Sequence, residues 1–316
     1  NRGIAYHDKG ELDKAITDYD EAIRLSPDYA SAYNNRGNVY ADVGELDRAI
    51  ADYAQAIRLL PDDAVAYRNL GFVYSKMGEM DLAISSYDQA IQIQPDYAAA
   101  YHSRGVAYSA MGELDAAIAD YSRAIELDPD HYWAYYNRGL ANGGKGFYAR
   151  AIVDYDSAIA LKPDFAEAYL ERGAARHNRR EMDLAIADYD IAIELMPDHA
   201  LAYYNRGLAY YHSHDLGHAI ADYDRAIALQ PGWAEAYASR GAAYHELGEI
   251  DLALADYERA INADADYALG YLNRALVYEQ RGAKAEAIAD FARALELAQE
   301  PEWRTAARQG LMRLER

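Results

Sequence analysis

The sequence predicts an all-α fold, antiparallel helix hairpins stacked side by side into a solenoid and closed by a C-terminal capping helix. Three observations predict it. The chain repeats itself every 34 residues, most plainly where the octapeptide AYYNRGLA at 134–141 returns letter for letter at 202–209. Each period carries two apolar stripes at helical spacing. Finally, 52% of the 316 residues are hydrophobic, ample material for a core. Full copies span 30–63, 64–97, 98–131, 132–165, 166–199, 200–233, 234–267 and 268–301, after a truncated copy at 1–29. One solenoid domain is therefore expected over 1–301, with 302–316 as its cap.

Copy 30–63 shows how each element is specified. Tyr33, Arg36, Gly37 and Tyr40 fall on one stripe of a first helix, and Gly44 breaks the chain after it. Leu46, Ala49, Ile50, Tyr53, Ala56, Ile57 and Leu60 stripe a second helix, which Pro61 stops. Asp62 is placed to cap the helix that follows by accepting its free N–H groups. Small residues recur where backbones must approach: Gly37, Ala49 and Ala56, then Gly71, Ala83 and Ala90 one period on. One such hairpin cannot bury its own apolar face, so the copies must stack. At the C-terminus Ala307, Leu311 and Leu314 share one side of a final helix. Asn1 begins partway through a first helix, which is expected to leave packing surface open there.

This order of aromatic, Gly, Tyr, Ala, aromatic, Ala and Pro within 34 residues resembles the tetratricopeptide repeat family, and the resemblance covers essentially the whole chain. It implies a right-handed superhelix of about one turn whose first helices line a concave groove for an extended peptide or a partner helix.

Composition narrows the partners. With 52 acidic against 31 basic residues the net charge is -21, a field that repels nucleic acid and anionic membranes and favours a neutral or basic protein or peptide. The absence of cysteine excludes disulfides, thiolate metal sites and thiol nucleophiles. No apolar run approaches the roughly 18 to 20 residues of a membrane helix, and the first residues hold no signal-peptide core, so a cytoplasmic location is expected, although an upstream targeting segment could precede Asn1.

The repeated arginines look like chemistry and read as structure. Arg36, Arg104, Arg138 and Arg206 are matched in the second helices by Asp52, Asp120, Asp154 and Asp222, whereas copy 64–97 has Leu70 and Ser86. Loss of both in the same copy predicts a pair within one hairpin. Most of the 31 tyrosines fall in the slots of Tyr33, Tyr40 and Tyr53, a core pattern.

Function is then expected on first-helix slots that vary between copies: Asn34, Arg68, His102, Tyr136, Leu170, Tyr204, Ala238 and Leu272 at one, and Ala41, Ser75, Ser109, Gly143, His177, Tyr211, His245 and Glu279 at another. The aromatics Trp133, Tyr136, Phe165, Tyr204, Tyr211 and Trp233 gather mid-chain as candidate peptide-binding anchors. A column of Asn35, Asn69, Asn137, Asn205 and Asn273, with Asn1 at its head, offers amides to a peptide backbone, similar to the asparagine ladder of glycosyltransferase tetratricopeptide superhelices. It could equally serve hydrogen bonding at the seam between copies. The family's carboxylate clamp needs Lys and Arg in three consecutive copies, and only Arg68 and Lys76 come close, so it is not expected.

Three local features remain. GLANGGKG at 139–146 lacks the Ser or Thr and the preceding strand of a phosphate loop, and its double glycine is expected to fray the helix end. Arg172, Arg176, Arg179 and Arg180 concentrate charge on one side, either a degenerate copy or an anion dock. His212, His214 and His218 lack a fourth ligand, so no metal is assigned. No nucleophile beside a base and no cofactor motif appears. The sequence thus reads as a non-catalytic interaction scaffold. Its alternatives are the sensing or substrate-docking arm of a larger enzyme, a glycosyltransferase or signalling ATPase with its catalytic part upstream, and a scaffold that self-associates end to end.

Overall fold

The computed structural model describes residues 2–314, and Asn1 with its place in the asparagine column lies outside them. The described residues form nineteen α-helices and no strand. They group into two compact units, residues 1–163 and 164–316. The first unit holds α1 (Arg2–Asp8), α2 (Leu12–Leu25), α3 (Ala30–Asp42), α4 (Leu46–Leu59), α5 (Ala64–Met77), α6 (Met80–Ile93), α7 (Ala98–Ala110), α8 (Leu114–Leu127), α9 (Tyr132–Gly144) and α10 (Tyr148–Leu161). The second holds α11 (Ala166–Asn178), α12 (Met182–Leu195), α13 (Ala200–His212), α14 (Leu216–Leu229), α15 (Ala234–Glu246), α16 (Ile250–Ala263), α17 (Ala268–Arg281), α18 (Lys284–Leu297) and α19 (Pro301–Leu314). Within each unit every helix packs on the next, and first helices of consecutive hairpins also touch: α3, α5, α7 and α9 in one, α11, α13, α15, α17 and α19 in the other. No described helix is long and apolar enough to cross a membrane.

Each hairpin closes on a glycine under an aromatic ring except 268–301, where the buried Ala275 takes the glycine's place. A Cβ on Gly37 would stand 2.7 Å from Tyr53, and one on Gly139 would stand 2.6 Å from Tyr155. Ala49 and Ala56 beside Tyr53 are fully buried. The hairpin turn needs a left-handed residue, supplied by Gly44 at φ +82° and its counterparts. Arg180 (φ 64°) and His214 (φ 59°) take that conformation with side chains attached. The final helix α19 repeats the same contact: Gly310 faces Phe291 with no room for a methyl, Ala307 is buried, and Leu311 and Leu314 join the cluster around Phe291.

Two local expectations are corrected. The cap of α5 is Asp63 and not Asp62: the Asp63 side chain accepts from the N–H groups of Val65 and Ala66. Asp62 stands one residue too early to reach the first turn. In other first helices an aromatic or histidine, such as Tyr29, His131 or Trp233, holds the cap position without a side-chain bond. The double glycine does not fray α9, which runs through Gly143 to Gly144 before Gly146 turns at φ 77°. Neighbouring contacts outweigh the helix propensity lost there.

Candidate functional site

The arginines turn into the packing seam. Arg36 Nε and Nη2 donate to the two carboxylate oxygens of Asp52, both at 2.7 Å, and Nη1 donates to Asp20 of the preceding hairpin. Arg104 joins Asp120 to Asp88 in the same way, and Arg206 joins Asp222 to Asp190. Arg138 donates to Asp154, but its Nη1 finds the hydroxyl of Ser122 at 3.0 Å. The paired carboxylates hold the Arg36, Arg104 and Arg206 guanidiniums well above their ordinary pKa, with the hydrogen bond to the hairpin's own aspartate the largest cause. The second, cross-hairpin aspartate escaped the sequence reading. Its signal was present, because Leu70 follows not only the loss of an aspartate at Ser86 but also Ala54 where other copies have Asp20, Asp88, Asp190 or Asp224.

The two variable slots also face the seam, not a free surface. Asn34, Leu170, Ala238 and Leu272 are buried. His102 Nε2 meets the Asn137 amide at 2.9 Å and its ring lies 4.6 Å from His131; burial, with the neighbouring His131 and Arg68 charges, lowers its pKa to about 4. At the second slot a row of pairs crosses between consecutive first helices: His7 with Asp42, His177 with His212 at 2.7 Å, Tyr211 with Glu246 at 3.1 Å, and His245 with Gln280. The reason is angular. At 100° per residue, positions 34 and 41 lie only about 60° and 40° around the helix from Gly37.

The asparagine column is divided. Asn69 is buried and donates to Asn34 and Asn38, and Asn137 engages His102, so both are spent in the seam and unavailable to a peptide backbone. Asn35, Asn205 and Asn273 are half-buried. The aromatics divide as well. Phe165 is only 1% exposed at the start of α11 and cannot serve as a surface anchor. Tyr204 is half-buried, stacks 4.6 Å from Trp233 and meets the Ser239 hydroxyl, packing between hairpins. Tyr136 is half-buried beside Trp133 and Tyr155. Trp133 is exposed.

The local oddities resolve into structure. Arg172 and Arg176 both bond Asp188, and Arg179 pairs with Glu181, so three of the four arginines of the expected basic cluster are engaged in ion pairs within the chain. His218 stacks on Tyr210 and bonds Asp215, away from the His177–His212 pair, and no group of three metal-capable side chains gathers among the described residues. Arg68 reaches Asn69, and Lys76 lies over the Phe72 ring.

Apart from Trp133, what the sequence reading missed is the outward row at positions equivalent to 31 and 38 of copy 30–63, about 120° and 100° from the glycine. In residues 1–163 it holds Val65, Phe72, Val106, Trp133 and Leu140, all 37 to 43% exposed. Phe72, Val106 and Leu140 occupy one slot of three consecutive hairpins on the touching helices α5, α7 and α9. In residues 164–316 the corresponding slots carry exposed Leu201 and Leu276 alongside exposed Glu167 and Glu235. Near them, burial raises the pKa of Glu171.

Family models described as TPR repeat or tetratricopeptide repeat match residues 3–44, 37–78, 62–130, 144–179, 181–213, 200–232, 241–282 and 268–301. No curated protein matches the chain in sequence. Among solved structures, YrrB, described as a TPR protein with an unusual peptide-binding site, is 25% identical, with 58% of this chain and 95% of that one covered and a TM-score of 0.50. A tetratricopeptide repeat protein from Parabacteroides merdae is 22% identical over 78% of this chain and 98% of its own, with a TM-score of 0.57. The Cut9–Hcn1 structure is 19% identical over 98% of this chain and 60% of its own, with a TM-score of 0.61. Stacked hairpins of this kind are the architecture of a protein-interaction scaffold. Repeat register, hairpin geometry and the family matches along the sequence agree: the chain belongs to the tetratricopeptide repeat family.

Proposed function

We propose that the chain is a non-catalytic scaffold that binds a protein or peptide partner on the outward side of its first helices, with the apolar row of residues 1–163 as the principal seat. The observation that carries this reading is the repetition of Phe72, Val106 and Leu140, one exposed apolar side chain per hairpin on adjacent helices. A contiguous apolar row on an otherwise charged surface marks an interaction site. The partner presents apolar side chains to this row and neutral or basic residues around it, since the chain carries a net charge of -21. The peptide-binding site named for YrrB supports the same class of ligand.

A peptide-display selection against the chain tests this. Recovered peptides should be apolar with flanking lysine or arginine, and should bind a Phe72→Asp, Val106→Asp variant at least tenfold more weakly while binding Tyr211→Ala unchanged. Equal affinity for the Asp variant and the parent would refute the reading.

A further inference from the structure

Hairpin 132–165 departs from its neighbours at one place, and the departures converge on a cavity. In most hairpins a tyrosine stands one turn after the clamp arginine, whose guanidinium lies beside the ring: Arg36 is 5.7 Å from the Tyr40 ring and Arg104 is 5.9 Å from the Tyr108 ring. In three hairpins a side chain from the start of the second helix also covers the ring. Lys14 lies over Tyr6, His218 stacks on Tyr210, and Arg48 lies 4.0 Å from the Tyr40 ring with Nη2 donating to the phenol oxygen.

In hairpin 132–165 the tyrosine is replaced by Asn142, buried, with its amide donating to Asp154 at 3.0 Å. Both flanking arginines remain. Arg138 corresponds to Arg36, and Arg150 corresponds to Arg48 and now leans over Phe147 at 5.1 Å. Between them is a cavity of about 410 Å³. Hairpin 166–199 also lacks the tyrosine, but there Arg176 fills the slot and bonds Asp188.

Three further substitutions line the same cavity. Ser122 stands where Asp88, Asp190 and Asp224 neutralise the arginine of the following hairpin, so Arg138 Nη1 has a hydroxyl instead of a carboxylate. Ala149 stands where Asp47, Asp115 and Asp183 stand in other copies. Val153 stands where Ala51, Ala187 and Ala221 stand, and is 62% exposed. Two anionic positions are lost and apolar surface is gained around two guanidiniums and one carboxylate. The depression is open to solvent on one side, and an apolar wall with a few convergent polar groups is the composition of a small-molecule site.

We propose that this cavity binds a small aromatic carboxylate. Its ring takes the place the tyrosine holds elsewhere, beside Arg150, and its acid group gives Arg138 Nη1 the anion that Ser122 does not. Hairpin 30–63 acts as a template, since it shows the Tyr40 ring seated between Arg36 and Arg48 at the same two positions.

Calorimetric titration of the full chain with 4-hydroxybenzoate tests the assignment. The expected result is saturable one-to-one binding, at least tenfold tighter than that of 4-methylphenol. Asn142→Tyr should fill the slot and weaken binding at least tenfold while leaving the helical circular dichroism and melting temperature undiminished. Ser122→Asp should weaken 4-hydroxybenzoate at least tenfold and leave 4-methylphenol within twofold, which keeps the test decisive if Asn142→Tyr fails to fold. Absence of saturable binding, equal affinity for the acid and 4-methylphenol, or unchanged affinity in Ser122→Asp would overturn the proposal. So would a Gly-Gly-Tyr peptide binding tenfold tighter than the free acid, because the slot would then belong to a partner's side chain.

Discussion

On the seam side of the first helices, Arg36, Gly37 and the residues at positions 34 and 41 meet their own second helix or the adjoining hairpin, and even histidines such as His102 are partnered there. On the outward side, Val65, Phe72, Val106 and Leu140 remain about two-fifths exposed across three consecutive hairpins. Both sides vary between copies. Variation alone therefore does not separate a ligand surface from a seam: at the seam it is compensated by a partner one hairpin away, and on the outward side it is not. Substitutions should accordingly cost stability on one side and binding on the other.

The largest stability effect is expected at the clamp. Asp120→Ala leaves the part-buried Arg104 guanidinium without its two-bond partner, with only the exposed Asp88 still paired to it, and should destabilise by about 3 kcal/mol. Arg104→Leu with Asp120→Ser and Asp88→Ala copies Leu70, Ser86 and Ala54 and should cost less than about 1 kcal/mol in chemical denaturation. Equal losses would show that the clamp does not act as a unit.

Next in size is a pair of glycines on α9. Gly139→Ala forces a methyl against Tyr155 and should cost about 1 to 3 kcal/mol. Gly143→Ala meets nothing closer than 3.8 Å and should stabilise by about 0.5 to 1 kcal/mol, both read from melting curves.

Acid should loosen the seam through His102. The unfolded imidazole titrates near 6.5 and the folded one at about 4, so between these values the unfolded chain holds a proton that the folded chain does not. Stability from this group is intact above pH 6.5 and falls as pH drops, by about 2 kcal/mol at pH 5. Comparing His102→Asn with the parent between pH 7 and 5 isolates the effect; parallel stability curves would contradict it. The smallest change is Arg180→Gly, which relieves a left-handed residue and should add about 0.5 to 1 kcal/mol.

The hairpins were legible in the sequence because glycine, alanine and aromatic spacing encodes backbone approach directly: Gly37 under Tyr53 needs no tertiary knowledge to recognise. The seam was less legible. Asp20 pairs with Arg36 only across a hairpin boundary, and a one-copy alignment of Arg36 with Asp52 explains the pattern without it. The outward row was missed because exposed aliphatics such as Val106 and Leu140 resemble core residues in a helical stripe, while Tyr204 and Trp233 draw attention and then pack on each other. Asp63, not Asp62, caps α5, a difference of one residue that backbone geometry decides.

The division of labour between the two sides is tested most directly by measuring stability and partner affinity together on one variant, Phe72→Asp, Val106→Asp, with a peptide obtained by display. The account predicts an unfolding free energy within about 0.5 kcal/mol of the parent and at least a tenfold loss of affinity. A variant that loses several kcal/mol of stability, or one that keeps both stability and affinity, would contradict it.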